Sequence, residues 1–118
     1  LCPANISSGT SADIFQLQIK PSGLVVARRG CATHPPMGPV EDWQSGTTVT
    51  VRVGRSGGVI EAAIPIASLG RPAIQNRVWG VNITRLDAQR GEYSSWSGAR
   101  GNCYLPQTLG NLILMRAY

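Results

Sequence analysis

The stretch Glu92–Arg100, EYSSWSGAR, sets an indole among hydroxyls, a phenol and a guanidinium, with no apolar neighbour in the chain to account for it. An indole buries about 150–250 Å² and so belongs in a core or at an interface. At an interface, these residue types suit one kind of ligand. A pyranose has an apolar C–H face that an aromatic ring can cover and a rim of hydroxyls that Arg, Asn, Gln and Ser can read. Trp96 either caps the end of a sheet stack or offers such a surface. Tyr93, Ser95 and Arg100 are rim candidates by proximity alone.

Trp43, in VEDWQSG, either anchors its loop or supplies a second wall. The adjacent Glu41 and Asp42 could accept sugar hydroxyls or a calcium ion, although two neighbouring carboxylates do not make a calcium loop. Nothing reads as catalysis. Glycoside hydrolysis needs two carboxyl groups about 5–9.5 Å apart across a cleft, and none of the six acids sits in a context suggesting such a pair. His34, the sole histidine, lies in THPPMG without a group to orient it. Haem is the rival cofactor, with His34, Lys20, Met37 and Met115 as the available axial ligands and no C-x-x-C-H attachment site. No cofactor is expected, with calcium left open.

Composition bounds the remaining classes. The 118 residues suit one domain with one core, residues 1–118. The net charge of +5 comes from dispersed arginines with no stripe beyond Arg28-Arg29, which argues against a nucleic-acid surface. Cys2, Cys31 and Cys103 allow three pairings with one thiol over. Together with the sequons at Asn5 and Asn82 and a single lysine, they lean towards an extracellular protein. No signal peptide or apolar run of membrane-spanning length occurs, and the start at LCPANISSG is read as a processed terminus or a cut through a longer protein.

The elements that must position these residues read as strands. DIFQLQI alternates with period two, KPSG suits a type I turn with a left-handed glycine after it, and LVVARR returns as a hairpin. Residues 30–47 carry three prolines and read as a long surface loop. TVTVRV points its valines inward, and VIEAAIPI runs until Pro65 removes a ladder donor. ASLGRPAIQNR allows one short helical turn at most. VWGVNITR places Trp79, Val81 and Ile83 on one face, so Trp79 is a core residue. LGNLILMRAY, apolar on both faces, reads as a central strand on which Met115 packs. About six strands without crossover helices imply an all-β fold of antiparallel sheets packed face to face.

In their order and spacing, VIEAAIPIASLG, WGVNITR, SSWS and PQTLGNLIL resemble the family 9 carbohydrate-binding modules and the wider DOMON-like β-sandwich domains. The resemblance covers about Ile14 to Leu114. It implies an all-β, jelly-roll-like antiparallel β-sandwich that binds polysaccharide or oligosaccharide without catalysis, usually attached to a secreted glycan-degrading enzyme. It also implies Trp96 as the ring-stacking residue. Glu61 and Arg85 fall on matching strands, where a structural ion pair competes with Arg85 reaching the ligand. Family members open with further strands ahead of the position of Ile14, so another chain or segment is expected to complete the sandwich. The alternatives are a haem-binding cytochrome domain of the same group and a structural β-sandwich in an assembly.

Overall fold

The computed structural model describes residues 1–3, 13–31, 38–98 and 108–115. Strand β1 (Asp13–Ile19) pairs antiparallel with β2 (Val25–Cys31), with Asp13 opposite Cys31 and Ile19 opposite Val25. The connection follows from its residues. Pro21 presets φ for a type I turn, Gly23 N–H reaches Lys20 O at 2.8 Å, and Gly23 takes a left-handed φ of 86°. Lys20 N–H then closes on Leu24 O at 2.9 Å, as expected for this turn.

The expected long loop contains a strand. β3 (Gly38–Asp42) pairs with the outer edge of β2, setting Arg28 opposite Asp42 and Arg29 opposite Glu41. Ion pairs of 3.9 Å and 3.5 Å follow from that register. Pro39 is tolerated because the strand is on an edge. A register shift falls between Arg29 and Gly30, where a Cβ on Gly30 would collide with the Gly38 carbonyl.

Leu1–Pro3 act as a short strand joining two sheets. The Leu1 amino nitrogen donates to Phe15 O at 2.8 Å, and Phe15 N–H donates back to Leu1 O at 2.8 Å. On the other side Cys2 and Gly80 exchange bonds of 2.7 and 3.0 Å. Gly80 belongs to β6 (Val78–Val81), which pairs antiparallel with β9 (Gly110–Ile113). Hydrogen bonds therefore run laterally from β3 through β2, β1, Leu1–Pro3 and β6 to β9.

Phe15, Trp43, Leu69, Ala73 and Trp79 form the core, with Leu1, Leu17, Ala27, Ile64 and Leu114 packed against it. The Phe15 and Trp43 rings are tilted by 58° at 4.8 Å. Each core indole has its polar atom satisfied, as burial requires. Trp43 Nε1 donates to Ser68 O at 2.9 Å and Trp79 Nε1 to Asn76 O at 3.0 Å. Ser68 lies in a 3-10 turn (Ile66–Leu69) followed by helix α1 (Arg71–Gln75), two short helical turns where one was expected.

β4 (Thr48–Gly54) and β5 (Gly57–Ala63) make a second antiparallel hairpin. Only Val49 and Val51 of its valines are half-buried; Val53 is 70% exposed, so the inward valine row stops short of the turn. β7 (Thr84–Asp87) and β8 (Glu92–Ser95) form a third hairpin. VWGVNITR is thus two strands in different sheets, separated at Asn82 and Ile83, which leaves Ile83 68% exposed instead of aligned with Trp79. Among the described residues β9 has β6 as its sole strand partner, where a central strand was expected, and Met115 beyond it is 82% exposed instead of packed. The protein is all-β with antiparallel sheets, as expected, and the described residues contain nine strands.

Burial separates two classes of aliphatic and aromatic position. Replacing Trp43 with Ala should cost about 3–5 kcal/mol through the cavity and the orphaned Ser68 carbonyl, whereas Val53→Ala should stay within about 0.5 kcal/mol. Urea unfolding of both variants measures the difference.

Candidate functional site

The β7–β8 register divides the expected site residues between two faces. Leu86 lies opposite Tyr93 and Thr84 opposite Ser95, so these four share one side. Arg85 lies opposite Ser94 on the other side, where its Nη2 donates to Asp87 Oδ2 at 3.3 Å. Asp87 Oδ1 in turn accepts the Gln89 and Arg90 N–H groups at 3.1 and 3.2 Å and closes the hairpin turn. Arg85 and Tyr93 therefore do not converge on one point. Glu61 is paired with Arg52 at 3.7 Å, so the expected Glu61–Arg85 pair is replaced by two separate ones.

Trp96 follows directly on β8. Its N–H donates to Ile83 O at 2.9 Å and carries the ladder one step beyond Thr84 and Ser95. Its side chain is 61% exposed, while Trp43 at 7% and Trp79 at 5% are buried. The six-membered ring rests on Gly110 of β9, where an added Cβ would lie 2.5 Å from Cζ3 and 3.0 Å from Cη2. Only glycine lets the ring settle there. The indole is thus supported from below by main chain and, among the described residues, remains largely exposed.

Asn82 binds both neighbours of this ring, Ser95 through its hydroxyl and Ser97 through its main-chain N–H. Its Oδ1 accepts from Ser95 Oγ at 3.1 Å and from Ser97 N–H at 3.0 Å. Its Nδ2 and the Ser97 hydroxyl are buried with no hydrogen-bond partner. The Asn82 sequon is consequently a structural clamp, since a glycan on Nδ2 would have to occupy this closed space. Ser95, expected on a ligand rim, directs its hydroxyl to that clamp. The sequence reading missed Asn82 and Gly110. The alternation of Trp79, Val81 and Ile83 runs on through Asn82 and gave no signal of it; the glycine in LGNLIL was the one signal for Gly110.

The other expected residues are placed as follows. Trp43 is a core side chain and cannot serve as a second wall. Tyr93 is 51% exposed on the face opposite Arg85. Arg100, His34, Met37, Cys103 and Asn5 lie outside the described residues. Glu41 and Asp42 are engaged by Arg29 and Arg28 across the β2–β3 ladder. Among the described residues no three His, Cys, Asp or Glu side chains gather as metal ligands would. Cys2 is buried at the seam beside Gly80, and Cys31 ends β2. No described helix is long and apolar enough to cross a membrane. The chain matches no known family, no curated protein and no solved structure.

The clamp predicts a measurable effect. Asn82→Ala removes the acceptor of two hydrogen bonds and should destabilise the protein by about 1–3 kcal/mol. It should also make the indole of Trp96 more mobile, read as lower fluorescence anisotropy of the most acrylamide-quenchable tryptophan.

Proposed function

We propose that this chain is a non-catalytic carbohydrate-binding module whose Trp96 stacks on the apolar face of a pyranose. The observation that carries the reading is the exposed indole seated on Gly110 and gripped on both flanks through Asn82. Leaving so large an apolar ring in water is unfavourable for folding. Fixing it there makes sense if a ligand covers it, because a ring already immobilised loses little entropy on binding. Tyr93 and Arg85 flank the hairpin on opposite faces, so an extended glycan chain meets at most one of them beside Trp96. Arg100, four residues after the indole, is the other candidate for reading the hydroxyl rim.

The reading includes what the resemblance to family 9 modules implies: a jelly-roll-like sandwich, an extracellular setting, and attachment to a glycan-degrading enzyme. One fixed aromatic with a wet polar rim gives weak binding, roughly micromolar to millimolar. No metal or haem is assigned a part in it.

Titration with soluble β-linked gluco- and xylo-oligosaccharides, followed by tryptophan fluorescence, tests the proposal. Trp96→Ala should lower the affinity at least about tenfold, equal to 1.4 kcal/mol, without altering the unfolding midpoint. Gly110→Ala should displace the ring and weaken binding in the same direction. Equal affinity in wild type and Trp96→Ala would remove the assignment.

A further inference from the structure

We infer, on the reading that Trp96 stacks on a sugar, that the ligand is a neutral glycan carrying acetyl groups, with an acetyl methyl on Ile83 and its carbonyl accepting from Arg85. Trp96, Ile83 and Arg85 share one face of the β7–β8 hairpin. Two observations fix this. Trp96 N–H donates to Ile83 O at 2.9 Å, so the two residues stand opposite each other one step beyond Thr84 and Ser95. Ser95 Oγ donates to Asn82 Oδ1 at 3.1 Å, which places both side chains on the face of Thr84. Side chains alternate along a strand, so Ile83 and Trp96 belong to the opposite face, with Arg85 and Ser94 next to them.

Ile83 and Trp96 are both largely exposed. A single exposed aliphatic residue is ordinary, but one placed opposite an exposed indole makes a continuous apolar strip. Gly110, the seat of the ring, pairs with Val81, and Ile83 and then Arg85 follow Val81 in the chain. Ile83 therefore separates the indole ring from the guanidinium. A bare sugar hydroxyl over Ile83 loses its hydrogen bonds to water without replacement. A methyl group gains from the same burial. Arg85 lies a two-residue step further, about 7 Å along the strand, within reach of its own long side chain. Its Nη2 donates to Asp87 Oδ2, and Asp87 is itself tied to the Gln89 and Arg90 N–H groups. The guanidinium is thus tethered with N–H donors to spare. An acetyl group carries its methyl and its acceptor oxygen on one carbon, and so matches an aliphatic surface beside a donor. Charge favours a neutral ligand over a uronate, because Asp87 and Glu92 lie opposite each other on this same face and set two carboxylates beside one guanidinium.

Fluorescence titration with two matched pairs of neutral ligands is the test. One pair is triacetylchitotriose against cellotriose, which share a β-linked glucan backbone and differ in the N-acetyl groups. The other is O-acetylated xylotriose against the same sample after alkaline deacetylation. The acetylated member of at least one pair should bind about fivefold or more tightly than its counterpart, and the pair that shows it identifies an amide or an ester as the source of the acetyl group. Ile83→Ser and Arg85→Met should each bring that ratio to about twofold or less at an unchanged unfolding midpoint, since both side chains are exposed. Ratios near one for both pairs in the wild type would overturn the acetyl assignment and leave carbohydrate binding standing. So would a preference that survives either substitution. A wild-type protein that binds none of these ligands removes the carbohydrate reading as well.

Discussion

The structure depends on four main-chain hydrogen bonds that Leu1 and Cys2 make with Phe15 and Gly80. Through them β1 and β6 become parts of one lateral array, although 58 residues and two hairpins separate the end of β1 at Ile19 from the start of β6 at Val78. Each main-chain bond contributes only about 0.5–1.5 kcal/mol net. Their importance is positional. They bring Phe15 and Trp79 into one core, and they fix β6 as the support for β9. β9 carries Gly110, and Gly110 carries the Trp96 ring. The placement of the indole at one end of the array is thus connected by main-chain bonds to the hairpin at the other.

The two indoles of the core and the one outside illustrate how the same side chain is directed to different ends. Trp43 and Trp79 each place their ring nitrogen on a nearby carbonyl, on Ser68 and Asn76, and bury the remaining surface. Trp96 rests on a glycine in a four-residue strand, a surface too small to cover a whole indole. Its fixity comes from main-chain and amide contacts around it, not from apolar packing. That combination of exposure and restraint distinguishes a prepared surface from a side chain merely left outside.

What the sequence made legible was local. The β1–β2 hairpin follows from Pro21 and Gly23, whose backbone preferences act within four residues, and Trp79 follows from simple alternation with Val81. What it hid depended on partners distant in the chain. β3 pairs with β2 and so sets Glu41 and Asp42 opposite Arg29 and Arg28, a match visible only once β2 is placed beside it, and Trp43 follows β3 into the core. Ile83 was misplaced because the Asn82 side chain binds Ser95 and Ser97, so the strand stops where its alternation continues. The exposure of Trp96 was suggested by its polar neighbours. Its seat on Gly110 was not, since thirteen residues of chain lie between the two.

The most direct measurement is the behaviour of the three indole N–H resonances during a glycan titration. They are separate reporters of one exposed ring and two buried ones. The account predicts that the Trp96 resonance moves in a saturable way while those of Trp43 and Trp79 stay in place. A bound glycan that shifts neither the Trp96 ring nor its Asn82 neighbour would contradict it.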